Sequence, residues 1–428
     1  MFKILKNAWG IPELRKKMLY TLLLLVIFRF GSVIPVPWLQ SEALASWVQQ
    51  GGNTIFNIMD MFSGGAFSQA TIFAMGISPY INSSIIIQLL TVAIPALERL
   101  SKEGEEGRKK IAKITRYVTV VLAFVQAAGL YIGLNSAGAV MNPGAFTFFV
   151  IALSFTAGTA FLMWLGEEIT EKGIGNGISL IIFAGIVSRI PHMAMSVWQT
   201  FTGGESKNYL AVLLILIFAV LVIGLVVLFN NGERRIPVQY AKRVVGRKMY
   251  GGQSTHIPIK VTMAGVMPII FAMSLLAFPS TIVSLVNPNP TGGFGLWILK
   301  FFNQNNPWYA VIYFILIVAF TYFYTAISFS PIEIANNMKK NGGFVPGIRP
   351  GKPTSDFIAK VSSRITLVGA FFLGFIAILP IVLAIIDSKL STISIGGTSL
   401  LIVVGVALET VKQMESQMLM RHYKGFLE

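Results

Sequence analysis

Few residues in this 428-residue chain are equipped for covalent or metal chemistry. There is no cysteine, which excludes thiolate nucleophiles, disulfides, iron–sulfur clusters and thiolate metal sites. Three histidines, His192, His256 and His422, leave almost no material for a catalytic metal site, and no HExxH is present. No metal site and no cofactor is expected. The phosphate-cradling pattern GxxxxGKS/T is absent, and Lys352 in RPGKPT follows a glycine without the rest of it. No Ser/His/Asp set suggests itself. Any work must be driven by a partner or by a membrane potential. The residues that carry information are of other kinds. Asp60 interrupts the apolar run IFNIMDMFSGGAFSQATIFAM at 55–75. Ser78, Asn82, Ser83, Ser84 and Gln88, with Pro79 and Pro95, stand inside GISPYINSSIIIQLLTVAIPAL. Ile77/Ile81 and Ile178/Ile182 have i,i+4 spacing, which puts each pair on one helix face. Such pairs in an apolar run are ordinarily packing or lipid contact.

The elements that hold these residues follow from composition. Hydrophobic residues make up 54%, charged residues 12%, and mean hydropathy is +0.70. A soluble domain is nearer ~25% charged, and disorder requires low hydrophobicity with high charge density. The chain is an all-α polytopic membrane protein. Hydrocarbon ~30 Å thick needs about 20 apolar residues in a helix. Ten stretches qualify: 18–37, 76–97, 115–134, 147–165, 178–200, 209–229, 261–286, 307–327, 365–386 and 393–411. Each must be helical, because lipid offers no partner to a backbone N–H.

The net charge of +16 is distributed unevenly. With the N-terminus in the cytoplasm, 29 Lys and Arg fall inside and four outside (Arg189, Lys207, Lys300, Lys389), with Arg29 inside span 1. That positive-inside split predicts cytoplasmic termini and an even number of spans. Glu167, Glu168 and Glu171 in the 4–5 loop do not disturb it, because acidic residues count little. Residues 1–31 also fit a signal peptide in charge and apolarity, but no Ala-x-Ala site follows, so a retained first span is expected. The predicted division is an arm at 1–17, a half with spans 1–5 at 18–200, a half with spans 6–10 at 209–411, and a tail at 412–428. Five spans per half suggests inverted halves with a path between them.

Two places break the rules for lipid-facing helices. Residues 55–75 read either as a half-inserted or bundle-buried segment or as an external amphipathic helix. The polar groups of span 2 want a water-filled cavity or serve as glue between helices. Arg29 can snorkel or pair near the outer surface. No Asp, Glu or His relay lies deep in a span, which argues against a proton-coupled carrier. A secondary transporter with a five-plus-five repeat is the competing class, and an intramembrane enzyme lacks a nucleophile–base or metal set.

The basic loops at 230–260 and 328–364 are long. RRIPVQYAKRVVGRKMYGGQSTHIPIK (234–260) alternates bases with apolar and aromatic residues, and NNMKKNGGFVPGIRPGKPTSDF (336–357) is rich in turn formers. Attraction to anionic lipid is worth about 1 kcal/mol per base. The length and aromatic content point further, to docking of an acidic partner or RNA phosphate.

Long blocks of the chain, MFSGGAFSQATIFAMGISPYINSSIIIQLL (61–90), FLMWLGEEITEKGIGNGISLIIFAGIV (161–187), QSTHIPIKVTMAGVMPIIFA (253–272), FVPGIRPGKPT (344–354) and GGTSLLIVVGV (396–406), closely resemble the SecY family of protein-conducting channels, in order along nearly the whole length. The loop 287–306 and the extreme C-terminus match poorly. The resemblance implies ten transmembrane helices in two pseudo-symmetric inverted five-helix halves, no catalysis, and a pore that passes unfolded secretory proteins and releases transmembrane segments sideways. It implies a pore ring of Ile77, Ile81, Ile178, Ile182, Ile270 and Ile402. It implies a plug at 57–70 including Asp60, Met61, Phe62, Ser63, Gly64 and Gly65. A lateral gate is implied at Asn82, Ile86, Gln88 and Thr262, with span 2 opposite span 7 and spans 3 and 8 flanking. Docking of motor and ribosome is implied at Arg234, Arg235, Lys242, Arg243, Arg247, Lys248 and Arg349. The implied partners are the SecE and SecG subunits, the SecA ATPase, the ribosome, signal peptides and nascent chains, YidC-type insertion factors and membrane lipid. The implied location is the bacterial cytoplasmic membrane.

Overall fold

The computed structural model describes residues 2–44, 60, 62–136, 138–202, 209–240, 243–245, 248–250, 254–286, 293–303, 306–386 and 391–424. A short helix α1 (Phe2–Trp9) precedes α2 (Pro12–Gly31), and the first half continues through α3 (Ser78–Ala93), α4 (Pro95–Lys102), α5 (Glu105–Ser136), α6 (Ala145–Lys172) and α7 (Gly177–Thr202). The second half runs through α8 (Tyr209–Asn231), strands β1 (Glu233–Tyr240), β2 (Arg243–Val245), β3 (Lys248–Tyr250) and β4 (Ser254–Lys260), then α9 (Met267–Val286), α10 (Gly293–Phe301), α11 (Pro307–Ser328), α12 (Pro331–Lys340), β5 (Gly343–Phe344), α13 (Lys352–Ile386) and α14 (Ser391–Lys424).

All ten predicted spans fall on helices. Among the described residues α5, α6, α7, α8, α11 and α13 carry stretches long and apolar enough to cross a membrane unaided, and the bent pair α3–α4 adds a seventh. The other three spans lie on α2, α9 and α14. Lys16 and Lys17 sit in the first turns of α2, Pro279 lies inside α9, and α14 runs on into the charged tail.

Several boundaries differ from the sequence expectation. Span 1 was placed at 18–37, but α2 starts at Pro12, where proline suits a first turn, and stops at Gly31. Pro35 and Pro37 cannot donate to a continuing helix. Span 2 does not run to residue 97. Ile94 is extended (φ −106°, ψ 115°) because the proline after it disfavours the helical region, and the chain turns by 100° there. Span 7 was placed from 261, yet residues 261–266 are turns ahead of α9.

The largest correction concerns the basic loops. The 234–260 stretch is a β-hairpin: β1 pairs antiparallel with β4 from Glu233↔Lys260 to Gln239↔Ser254, and β2 with β3. Ile236 and Val238, two apart, point to the same buried side, as strand pleating demands. β5 joins the other edge of β1 through Gln239↔Phe344 and Tyr240↔Gly343, so the order is β4-β1-β5. Beneath it Ile236, Val238, Ile259, Met338, Val345 and Ile358 form a small core of their own.

Among the described residues the two halves meet along two main seams. α7 packs against α14 on one side, and α3 and α5 pack against α9 on the other. The main apolar core lies between these seams. A smaller core ties Leu14 of α2 to Ile174 and to Met414 of α14.

Candidate functional site

Five of the six singled-out isoleucines, Ile77, Ile81, Ile182, Ile270 and Ile402, are buried in one apolar cluster, and the half-buried Ile178 packs onto it. They come from four elements: Ile77 caps the N-terminus of α3, Ile81 lies one turn on, Ile178 and Ile182 are on α7, Ile270 is on α9 and Ile402 on α14. The chain brings the two halves together through these side chains. The close approach of α6 to the start of α7 depends on Gly177, where a Cβ would sit 1.9 Å from the Gly166 carbonyl oxygen.

Above the cluster the molecule opens. A cavity of about 430 Å³ has Ile81, Ile178, Ile182 and Ile270 in its wall, together with Ser84, Gln88, Arg116, Glu167, Glu171 and Asn176. A second, of about 620 Å³, is lined by Asn230, Lys260, Thr262, Glu409 and Lys412 among others, and shares Asn176, Ser179 and Met267 with the first. Both lie on the side that carries the β-hairpin. A polar, charged mouth therefore narrows onto an apolar floor. Burial, then the nearby Lys260 charge, pulls the Lys412 ammonium below the ordinary lysine value, and its Nζ donates to the Asn230 carbonyl at 2.8 Å.

Below the floor lies the segment from Asp60 onward. Phe62 and Ala66 belong to the same cluster as the isoleucines. Residues 63–70 are turns, not an exposed amphipathic helix, and most are buried. The turn is closed by its own polar groups: Gly65 N–H donates to the Asp60 carbonyl at 2.8 Å and Ser68 N–H to Asp60 Oδ1 at 2.8 Å. Two arginines clasp it from the neighbouring helices. Arg189 of α7 pairs with Asp60 Oδ2. Arg29 of α2 donates to the Gly64 carbonyl at 3.2 Å and to Ser188 Oγ at 3.3 Å. Gly64 has φ +69°, and a Cβ there would sit 2.9 Å from Gly185 Cα. A Cβ on Gly185 would in turn sit 2.8 Å from the Phe62 carbonyl oxygen. The turn thus presses on α7 backbone to backbone. Met61, and residues 57–59 of the predicted plug, lie outside the described residues.

At the α3–α9 seam Asn82, Ile86 and Gln88 are half-buried on α3. Gln88 donates to Ser84 Oγ at 3.3 Å, and its side chain faces that of Tyr324 on α11, so polar groups of the two halves approach one another here. The Tyr324 ring packs 5.2 Å from Phe271 of α9. Thr262 stands apart from the other seam residues. It precedes α9, donates to Asn230 Oδ1 at 2.7 Å, and borders the larger cavity.

Of the basic residues, Arg234 and Arg235 are exposed on β1, and Arg235 pairs with Glu233 at 2.7 Å. Arg243 and Lys248 are on β2 and β3, and Lys242 and Arg247 fall outside the described residues. Arg349 is exposed in the turn between β5 and α13, where its carbonyl accepts from Thr354 Oγ1 at 2.8 Å. The shared sheet places this turn beside the hairpin.

Sequence reasoning left Arg29 as an isolated charge and counted Arg189 only for topology. They share a feature visible in the sequence: each is a lone base within an apolar stretch, and Asp60 is a lone acid in an apolar run. Tyr324 and Gly185 gave no such signal.

Comparison with known proteins finds the SecY family model matching residues 71–411. The protein translocase subunit SecY of Halalkalibacterium halodurans is 47% identical over 436 residues, covering 100% of both chains. The subunit of the same name from Bacillus subtilis is 47% identical over 438 residues, again over 100% of each. Among solved structures, one described as a protein conducting channel superposes with a TM-score of 0.63 at 20% identity, covering 94% of this chain and 91% of that one. Sec61 in a canine ribosome-channel complex from the endoplasmic reticulum superposes at 0.61 with 19% identity, covering 94% and 91%.

Proposed function

Because the chain belongs to the SecY family, we propose that it is the pore-forming subunit of a membrane protein translocase, which passes unfolded secretory chains across the bilayer and releases transmembrane segments sideways into lipid. The observation that carries this is the apolar floor: isoleucines from both halves close a polar mouth and are backed by the clasped turn at 60–70. The chemistry suits the task. A general protein channel must let charged, polar and apolar side chains by, and a hydrogen-bonding or charged constriction would trap some of them. Apolar side chains hold none strongly, and a narrow apolar waist stops ions by dewetting. β-Branched side chains are stiff at χ1, which keeps the gasket defined. The ring is Ile77, Ile81, Ile178, Ile182, Ile270 and Ile402, and the plug is the turn containing Asp60 to Gly65.

The seam of α3 and α5 against α9 is the lateral gate. A signal peptide has an apolar core of about 7–15 residues behind basic ones. Its core prefers lipid, and a seam lined partly by polar side chains and open to lipid on parting lets it partition sideways. Asn82, Ile86 and Gln88 lie where such a helix would pass. The positive-inside charge distribution supports an orientation with the hairpin side and both termini in the cytoplasm, and the bacterial relatives support a cytoplasmic-membrane location. The basic surface of β1–β4 and the Arg349 turn then receives the ribosome and the SecA motor, and SecE, SecG and YidC-type factors complete the assembly. The chain itself acts as a conduit, with no catalytic step of its own.

The deciding experiment is reconstitution of the chain into vesicles with its small partners and motor, scored for protease-protected preprotein. Protection that depends on this chain is the expected result. Replacing Ile81 and Ile182 by glycine opens the waist, so vesicles carrying that variant leak ions. Sealed vesicles together with no protected preprotein from the wild type would overturn the reading.

A further inference from the structure

The helix α10 (Gly293–Phe301, GFGLWILKF) has no buried residue, although six of its nine positions are Phe, Leu, Trp or Ile. Its aromatic side chains form a ladder. Phe294 and Trp297 stack with ring centroids 5.8 Å apart and planes 15° apart, and Trp297 and Phe301 stack at 4.9 Å and 12°. Three, four and seven residues apart, they share one helix face. Phe294 is 75% exposed and Trp297 54%. In water such a ladder would be a standing liability, so something apolar covers it.

The attachments of α10 say what covers it. The helix is spliced between two spans, α9 ending at Val286 and α11 beginning at Pro307. Its C-terminal end is tied to the start of α11. Asn306 Nδ2 donates to the Lys300 carbonyl at 3.2 Å, and Asn306 Oδ1 accepts from Trp308 N–H at 3.1 Å. The helix is therefore held at the level where α11 leaves the membrane. Trp308, in the first turn of α11 and 62% exposed, stands at that level too. A surface with aromatic rings and one lysine, continuous with lipid-facing spans, has the composition of a membrane interface.

We propose that α10 is an interfacial anchor seated at the headgroup–acyl boundary of the outer leaflet, with the Phe294–Trp297–Phe301 ladder among acyl chains and Lys300 at headgroup phosphate. The leaflet assignment rests on the orientation proposed above; the lipid contact does not. The anchor has a mechanical consequence. It packs against α9, which forms one wall of the seam, so movement of α9 away from α3 disturbs its contact with a helix embedded in lipid.

The absence of cysteine in the native chain makes the test direct. Phe294→Cys and Trp297→Cys, each in the full chain, are labelled with an environment-sensitive fluorophore and placed in liposomes. Lys339→Cys, on the exposed end of α12, is the aqueous control. Lipids carrying a nitroxide near the top of the acyl chain should quench both α10 labels about twofold or more beyond the control, and aqueous iodide should show the reverse order. Two outcomes overturn the anchor. One is iodide quenching at 294 and 297 equal to that at 339. The other is shielding from both quenchers, which means that a protein surface covers the ladder. Two variants guard against loss of one ring altering the seat. Orientation is read separately, by a membrane-impermeant maleimide on Ser136→Cys and Lys339→Cys. If Lys339→Cys is the extracellular one, the leaflet is reversed while the lipid contact stands.

Discussion

Asp60 is a carboxylate almost without solvent, 4% exposed at its side chain, and its partner Arg189 is 26% exposed. Such a pair contributes less by attraction than by what its loss leaves behind, a desolvated charge with no counter-charge. The second clasp is of another type, since Arg29 holds a backbone carbonyl that no substitution at residue 64 can delete. Asp60→Asn keeps the shape and removes the charge, so it should loosen the closed turn by about 2 kcal/mol. That is about a 30-fold shift toward the displaced state. The expected outcome is measurable ion conductance across planar bilayers in the resting channel. Arg29→Gln should leak less, because its contacts are neutral or shared with Ser188. Equal and undetectable leak from both variants would remove the clasp from the closing mechanism.

At the scale of elements, local backbone rules decide where helices stop and tertiary contacts decide what the stops are used for. Pro95 ends α3, and the 100° bend sends α4 off along the surface. Because α3 ends there, Gln88 lies close to its loop-side end, where it reaches Tyr324 across the seam. A neutral hydrogen bond between two such groups is worth about 1 kcal/mol, and if the pair holds the seam it should appear as coupling in a double-mutant cycle. Gln88→Leu and Tyr324→Phe should each favour seam opening, and the double variant should gain less than the sum. Crosslinking yield between a stalled secretory chain and a photoreactive group at Ile86 reads the effect. Strict additivity would mean that the link does not hold the seam. The strands make the complementary point. ERRIPVQY and STHIPIK alternate apolar with polar residues at period two, which is a strand signal. The signal is weak on its own because a short hairpin between two spans is stable only against a core, and part of that core comes from α12 and α13, about a hundred residues on.

Over the whole molecule, the sheet order β4-β1-β5 turns two basic loops into one basic surface beside the mouth of the cavities. A partner docked there sits on the second half, at the mouth of the path it must feed. Arg349 is exposed and its side chain braces no core, so Arg349→Glu should change stability by no more than about 0.5 kcal/mol. A charge reversal in a docking surface costs several kcal/mol of association by like-charge contact, so motor-driven translocation should fall about tenfold or more. Membrane insertion of the channel itself should be unchanged. Wild-type translocation by this variant in the vesicle assay would take Arg349 out of the docking surface.

What the sequence by itself determined were the features that depend on neighbours along the chain: apolar length, the uneven distribution of Lys and Arg, helix stops at proline, and motif blocks long enough to mark the family. Those are one-dimensional signals, because a membrane selects for length and charge wherever the chain crosses it. The tertiary structure alone decided which distant residues meet. Arg29 and Arg189 become a clasp only where α2 and α7 flank the turn at 60–70. Gln88 and Tyr324 become a link only where the halves meet, and Gly185 matters only because a backbone 121 residues earlier rests on it. Contacts of that range carry no periodicity to read, since their geometry is set by how whole helices pack rather than by the spacing of residues within any one of them.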